Sequence, residues 1–253
     1  MKYGFIGLGN MASAIIKGMI TSNEFDATQI YGLNRSPEKT NTLVSQLNIQ
    51  ATYSIEQLVN AVDVIVLGVK PQNLKEVLPT IRENLRPGQM IISIAAGKTL
   101  AYLAENLSNE HAIFRVMPNI NAVIGASTSC YSTFSTSTEE KKIVENLFSK
   151  VGTIIELPES QFSTFTTIGC ASPAFTYLYI DSLARAAVLE GMPKDLALQV
   201  AASSVLGSAK MILESGQHPW ALIDQVCSPG GTTIRGVTAL PVSYTHLTLP
   251  TKA

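Results

Sequence analysis

Two short segments of the 253-residue chain carry residue types whose spacing could do chemistry. Near the carboxyl end, Ser228-Pro229-Gly230-Gly231-Thr232-Thr233-Ile234 joins two glycines to hydroxyls and carries no formal charge. Glycines let the main chain approach a ligand, and successive N–H groups in such a turn form a concavity suited to a small carboxylate. Near the amino end, Gly7-Leu8-Gly9-Asn10-Met11-Ala12 is a GxGxxA between a strand-like and a helix-like stretch. Gly7 permits the tight turn, Gly9 lets a pyrophosphate reach the backbone, and Ala12 is small enough for helix–strand packing. The pair implies a two-part site, one end for a dinucleotide and the other for a small acid.

Cofactor choice is read where the second strand ends. An NAD-selective site places Asp or Glu there to accept from the ribose hydroxyls. This chain has Asn34-Arg35-Ser36 instead, with Lys39 one turn on. A guanidinium and a hydroxyl suit a 2′-phosphate, so NADPH is favoured and NADH is the lesser possibility; a solvated loop arginine is the plainer reading. Val69-Lys70-Pro71, Ala95-Ala96-Gly97 and Met117-Pro118-Asn119 end later strands at the edge where ligands bind such sheets. The expected cofactor contacts are Gly7, Leu8, Gly9, Asn10, Met11, Asn34, Arg35, Ser36, Val69, Lys70, Pro71, Ala95, Gly97 and Asn119. Asn119 could also meet the substrate, although a turn-forming asparagine fits its local sequence equally well.

Those segments need a scaffold, and the first 157 residues supply a pattern for one. Lys2–Ile6, Ile30–Leu33, Val64–Val69, Met90–Ile94, Ala112–Met117 and Thr153–Ile155 read as apolar strands. Between them Asn10–Thr21, Pro37–Leu47, Gln72–Leu85 and Glu139–Val151 read as amphipathic helices, two of them opened by Ser36-Pro37 and Ser137-Thr138-Glu139-Glu140. Such alternation predicts an α/β, mostly parallel, doubly wound sheet of Rossmann type. The Ser/Thr-rich stretch 127–138 reads as an edge strand plus loop. After Pro158 only long helical patterns remain, namely Phe175–Glu190, Lys194–Glu214 and Trp220–Cys227. The expected division is a nucleotide domain over 1–157 and an all-α domain over 158–240.

Composition narrows the class. Charged residues make up 15 % of the chain against 46 % apolar, below the roughly 25 % charge of ordinary globular usage. Extra buried surface in a subunit interface is therefore expected. A net charge of -1 gives no electrostatic footprint for nucleic acid. No run of about 18 apolar residues marks a membrane span, and the amino terminus does not read as a secretion signal. Cys130, Cys170 and Cys227 are widely spaced without a CxxC, so buried thiols in a reducing cytoplasm are expected and no metal site. His218 reads as a cap or surface residue, and Asp181 and Glu190 as a solvated helix face.

These segments together resemble the pyrroline-5-carboxylate reductase family. The resemblance covers about residues 1–240 and rests on Gly7–Ala12, Val69-Lys70-Pro71-Gln72, Arg115-Val116-Met117-Pro118-Asn119, Ser172-Pro173-Ala174-Phe175 and Ser228–Thr233. It implies an NADPH-dependent reductase that converts 1-pyrroline-5-carboxylate to L-proline. It also implies homodimers or larger homo-oligomers formed through the helical domain, with substrate held between one subunit's nucleotide domain and its partner's helical domain. In such a site Ser228, Gly230, Gly231, Thr232 and Thr233 hold the ring carboxylate, and the Thr233 hydroxyl lies near the imine nitrogen as the catalytic group. Asn121 stands where many members have a second proline.

The family pattern continues past Leu240 with a long helix, whereas Pro241–Ala253 lacks helical period and is bracketed by prolines. Residues 241–253 are therefore expected to be a non-native tail, with a genuine, divergent C-terminal extension as the alternative. Two further readings remain: a β-hydroxyacid dehydrogenase or other imine reductase, and a regulatory protein that binds NADP without turnover. The first lacks its helix lysine motif, since Lys194 and Lys210 match none; the intact Ser228–Thr233 turn opposes the second.

Overall fold

The computed structural model describes residues 1–244. Eight strands form one sheet: β1 (Tyr3–Ile6), β2 (Ile30–Leu33), β3 (Gln50–Ala51), β4 (Val64–Leu67), β5 (Met90–Ser93), β6 (Ala112–Met117), β7 (Ser127–Phe134) and β8 (Gly152–Glu156). Their order is β3-β2-β1-β4-β5-β6-β7-β8, so the winding reverses between β1 and β4. The crossovers are α1 (Asn10–Thr21), α2 (Pro37–Leu47), α3 (Ile55–Ala61), α4 (Leu74–Asn84), α5 (Leu100–Asn106) and α6 (Thr138–Ser149).

Strand periodicity sorts the core into two layers. Tyr3, Phe5, Val64, Val66, Ile92 and Phe114 pack with Ile15, Ile16, Leu147 and Phe148 of α1 and α6. The alternate residues Ile6, Ile65, Leu67, Ile91 and Ile113 pack with Leu58, Leu78, Ile81 and Leu103 of α3, α4 and α5. Successive strand residues face opposite sides, so a sheet covered on both faces reads as continuous apolar runs. Caps define the helix starts as the sequence implies. Ser36 caps α2 with Pro37 in its first turn, and Ser137 and Glu140 form a capping box on α6. Each such cap contributes about 1 kcal/mol.

Three features differ from the sequence expectation. The two-residue β3 and the seven-residue α3 and α5 are too short to show a period. The 127–138 stretch is not an edge: β7 lies inside the sheet, antiparallel to β6 and parallel to β8. A parallel return needs a crossover of about a dozen residues or more, and only the short turn Ile120–Ile124 joins β6 to β7. Its serines read as loop residues, yet Ser127 and Ser129 are buried with their hydroxyls 3.0 Å apart. Third, the helical run reaches Tyr244 through Pro241, past the point where the sequence stops reading as a helix; the rest of the suspected tail lies outside the described residues.

The chain divides into two compact units, Met1–Pro173 and from Ala174 onward. Residues 158–173 therefore pack with the sheet unit. The reason is visible in α7 (Phe162–Phe165), where Phe162 packs against Met117 and Cys130. A π-helical turn, Thr166–Ala171, follows α7. The second unit comprises most of α8 (Ser172–Leu189), then α9 (Lys194–Ser215), α10 (Pro219–Val226) and α11 (Thr232–Tyr244). Its buried cluster is small, centred on Ala184, Ala197 and Ala201. Leu178, Leu189, Leu206 and Leu213 are largely exposed. By length and composition alone α9 is long and apolar enough to cross a membrane, although charged residues interrupt it, and 11 % of its apolar window is buried.

Candidate active site

The β1–α1 loop is built by close approach. Gly7 has φ +94°, and a Cβ there would stand 2.8 Å from the Val69 nitrogen, so no larger residue fits. Its N–H donates to the Leu33 carbonyl at 2.7 Å, and the Gly68 N–H donates to the Ile6 carbonyl at 2.9 Å. These bonds hold the carboxyl ends of β2, β1 and β4 level. The Leu8 N–H donates to Asn34 Oδ1 at 2.9 Å, which ties the loop to the end of β2. Gly9 caps α1 with no side-chain hydrogen bond, and a Cβ on it would meet nothing within 4 Å. The first-turn N–H groups of α1 thus face open space at the positive end of the helix dipole, where an anion binds.

A cavity of about 620 Å³ opens over these ends. Of the expected cofactor contacts, Gly7, Gly9, Asn34, Arg35, Ser36, Val69 and Lys70 line it, together with Lys39. Arg35, Lys39 and Lys70 set three cations against the single lining carboxylate of Glu76. That balance favours a polyanion. Ser36 is less free than its sequence position implies: its hydroxyl donates to Glu38 and accepts the Lys39 N–H. The bond from Ser36 holds the Glu38 carboxyl below its usual range. Arg35 and Lys39 are therefore better placed than Ser36 to meet a 2′-phosphate. Sequence reading missed Ile55, Asn73, Glu76 and Val77. Asn73 and Glu76 follow Pro71 by less than two turns, a signal that was available; Ile55 required α3, which the pattern hid.

The other expected contacts are not among the residues lining this cavity. Leu8 is buried and Asn10 and Met11 lie in the first turn of α1; Pro71 opens a 3-10 turn. Ala95 is buried and Gly97 takes φ +72° beyond β5. Asn119 is 5 % exposed and engaged within the fold. Its Nδ2 donates to the Gly169 carbonyl at 2.8 Å and its Oδ1 accepts the Asn121 N–H at 3.1 Å. Those bonds agree with the turn-forming alternative. Burial raises the Cys130 thiol to about 12, which disqualifies it as a nucleophile at neutral pH.

In the second unit the Ser228-Gly231 turn closes through the Gly231 N–H on the Ser228 carbonyl at 3.0 Å, with Gly230 at φ +71°. It feeds directly into α11, whose first residues are Thr232 and Thr233. Ser228, Gly230, Thr232 and Thr233 are exposed. The turn thus offers hydroxyls beside the unsatisfied N–H groups of a helix start. The tempting acid–base residues are otherwise occupied. His218 Nδ1 accepts the Trp220 N–H and caps α10, and Asp181 pairs with Arg185 on an exposed face.

Comparison with known proteins bears on both units. Residues 159–244 match the family model for pyrroline-5-carboxylate reductase dimerisation, and residues 2–97 match that for NADP oxidoreductase, coenzyme F420-dependent. Pyrroline-5-carboxylate reductase of Escherichia coli K12 is 40 % identical over 240 residues, covering 94 % of this chain and 89 % of its own. The solved structure of 1-pyrroline-5-carboxylate reductase from Streptococcus pyogenes is 37 % identical with a TM-score of 0.83, covering 99 % of this chain and 93 % of that one. The Plasmodium falciparum pyrroline carboxylate reductase structure with NADP bound is 31 % identical with a TM-score of 0.85, covering 98 % and 92 %.

Proposed function

Because the chain belongs to the pyrroline-5-carboxylate reductase family, we infer that it reduces 1-pyrroline-5-carboxylate to L-proline with NADPH. One observation carries this: the 40 % identity spans 94 % of the chain, and so includes both the dinucleotide cavity and the Ser228–Thr233 turn.

The chain's own residues suit the reaction. When bound, the nicotinamide supplies hydride to the imine carbon, the π electrons of C=N pass to nitrogen, and a proton there completes the secondary amine. The α1 amino terminus and the Arg35, Lys39 and Lys70 cations would hold the phosphates. The N–H groups and hydroxyls of Ser228, Gly230, Gly231, Thr232 and Thr233 would hold the ring carboxylate, with the Thr233 hydroxyl beside the imine nitrogen. Support for that assignment is the uncharged, exposed turn running into a helix start. No residue needs to act as a covalent nucleophile, so catalysis rests on positioning.

A second copy of the chain is the partner this reading requires. The dimerisation match covers α8 to α11, and a lone unit leaves too much apolar surface on α8 and α9 in water. Homodimers or larger homo-oligomers in the cytoplasm fit, where the three free thiols stay reduced. The test is NADPH oxidation with 1-pyrroline-5-carboxylate, repeated with 3-hydroxy acids and NADP. Turnover confined to the hydroxy acids would overturn the reading, and tight NADPH binding without turnover would favour a regulatory protein.

A further inference from the structure

Pro173 lies in the first turn of α8, directly after the π-helical turn. Proline has no N–H, so in a helix it leaves the carbonyl four residues earlier without its α-helical donor. That carbonyl belongs to Gly169, which is buried. A buried acceptor that cannot draw on that N–H needs another partner. The Asn119 Nδ2 approaches from the carboxyl end of β6 and donates to it at 2.8 Å. Nearby, the Cys170 thiol lies 3.7 Å from the Pro118 carbonyl, a second link between the same two segments.

The other side of Asn119 holds the loop that follows β6. Its Oδ1 accepts the Asn121 N–H, and its own N–H donates to Ser127 Oγ at 3.1 Å. This loop has little burial of its own: in the Ile120–Ile124 turn only Ala122 is buried, while Val123 is 60 % and Ile124 79 % exposed. Hydrogen bonds, rather than packing, must therefore fix its shape.

We propose that Asn119 is a positioning residue whose carboxamide replaces the N–H that Pro173 lacks, clasping the Pro118–Gly125 loop to the π-helical turn. The clasp sits at the edge where strand ends meet ligands; its effect on turnover rests on the reductase reading, whereas the clasp itself does not.

Two variants separate the bonds. Asn119→Asp keeps the Oδ1 cap on Asn121 and loses the donor to Gly169. It should lower kcat roughly tenfold while the NADPH KM stays within about twofold, since misplacement costs rate more than affinity. A KM rise that accounts for the whole loss would mean direct cofactor contact and overturn the proposal. Pro173→Ala returns an N–H to Gly169, so Asn119→Ala should cost less in that background than in the wild type. The cycle is read twice, in kcat and in the thermal unfolding midpoint. Equal losses in both backgrounds by both readouts would refute the clasp. Coupling in unfolding, with no reduction of 1-pyrroline-5-carboxylate by the wild type, would uphold the clasp and sink the activity alone.

Discussion

Arg115 of β6 and Glu159, just before α7, form an ion pair at 2.8 Å in which the arginine side chain is 9 % exposed and the glutamate 29 %. The same Glu159 oxygen accepts the Leu100 N–H at the start of α5, at 2.7 Å. The guanidinium also lies 4.3 Å over the Phe162 ring. One carboxylate thus joins the interior of β6, a helix start and the segment leading to α7.

Removing that charge should destabilise the first unit. Breaking a buried pair by deleting one partner costs about 3–5 kcal/mol, and the partial exposure of Glu159 reduces this to about 2 kcal/mol. Glu159→Gln is expected to lose that much in urea denaturation. A change below a few tenths would mean that solvent replaces the pair.

Cofactor preference should rest on Arg35. A hydrogen bond to a charged group is worth about 1.5–3 kcal/mol, so Arg35→Ala should raise the NADPH KM at least roughly tenfold and leave the NADH KM nearly unchanged. The NADPH advantage of the wild type should also shrink as salt rises, because exposed charges are screened. Parallel losses for both cofactors would remove the arginine from the 2′-phosphate.

Thr233 can be tested against its proposed place beside the imine nitrogen. Thr233→Ala should slow imine reduction about 100-fold with NADPH affinity little affected, and Thr233→Ser should recover much of the rate. Equal losses of rate and cofactor affinity would end that placement.

High pH should unfold the first unit through two buried acids. Burial holds the Cys130 thiol at about 12 rather than 9.0. Burial, then the hydrogen bond to Glu145, pushes the Tyr131 phenol well above its ordinary 10.0. Both groups are neutral when protonated and have folded pKa values above the unfolded ones. The unfolded chain therefore loses these protons first, and stability falls as pH rises. The loss begins near pH 9 for Cys130, continues to about pH 12, and starts near pH 10 for Tyr131. Each group contributes a slope of up to about 1.4 kcal/mol per pH unit. Tyr131→Phe should flatten the decline above pH 10, measured by denaturation at fixed pH steps; an unchanged slope would exclude the phenol.

Much of this architecture was legible because local signals agreed with the fold. The Gly7–Ala12 turn, the caps at Ser36 and Ser137 and the apolar strands each carry their own physical signature. What escaped was set by distant partners. Ser127 and Ser129 look like loop residues until the sheet buries their hydroxyls against each other. Asn119 reads as a turn former or a ligand contact, and nothing local announces its bond to Gly169, fifty residues on. Residues 158–173 follow a proline that reads as a boundary, and only the packing of Phe162 on Met117 and Cys130 joins them to the sheet unit.

The sparse core of the second unit has a thermodynamic consequence. With α9 so little buried, the homo-oligomer proposed above would supply much of the energy that keeps these helices folded. Apparent stability then follows mass action, and the unfolding midpoint should climb as the protein is concentrated. Dilution alone would act on this chain as a denaturant.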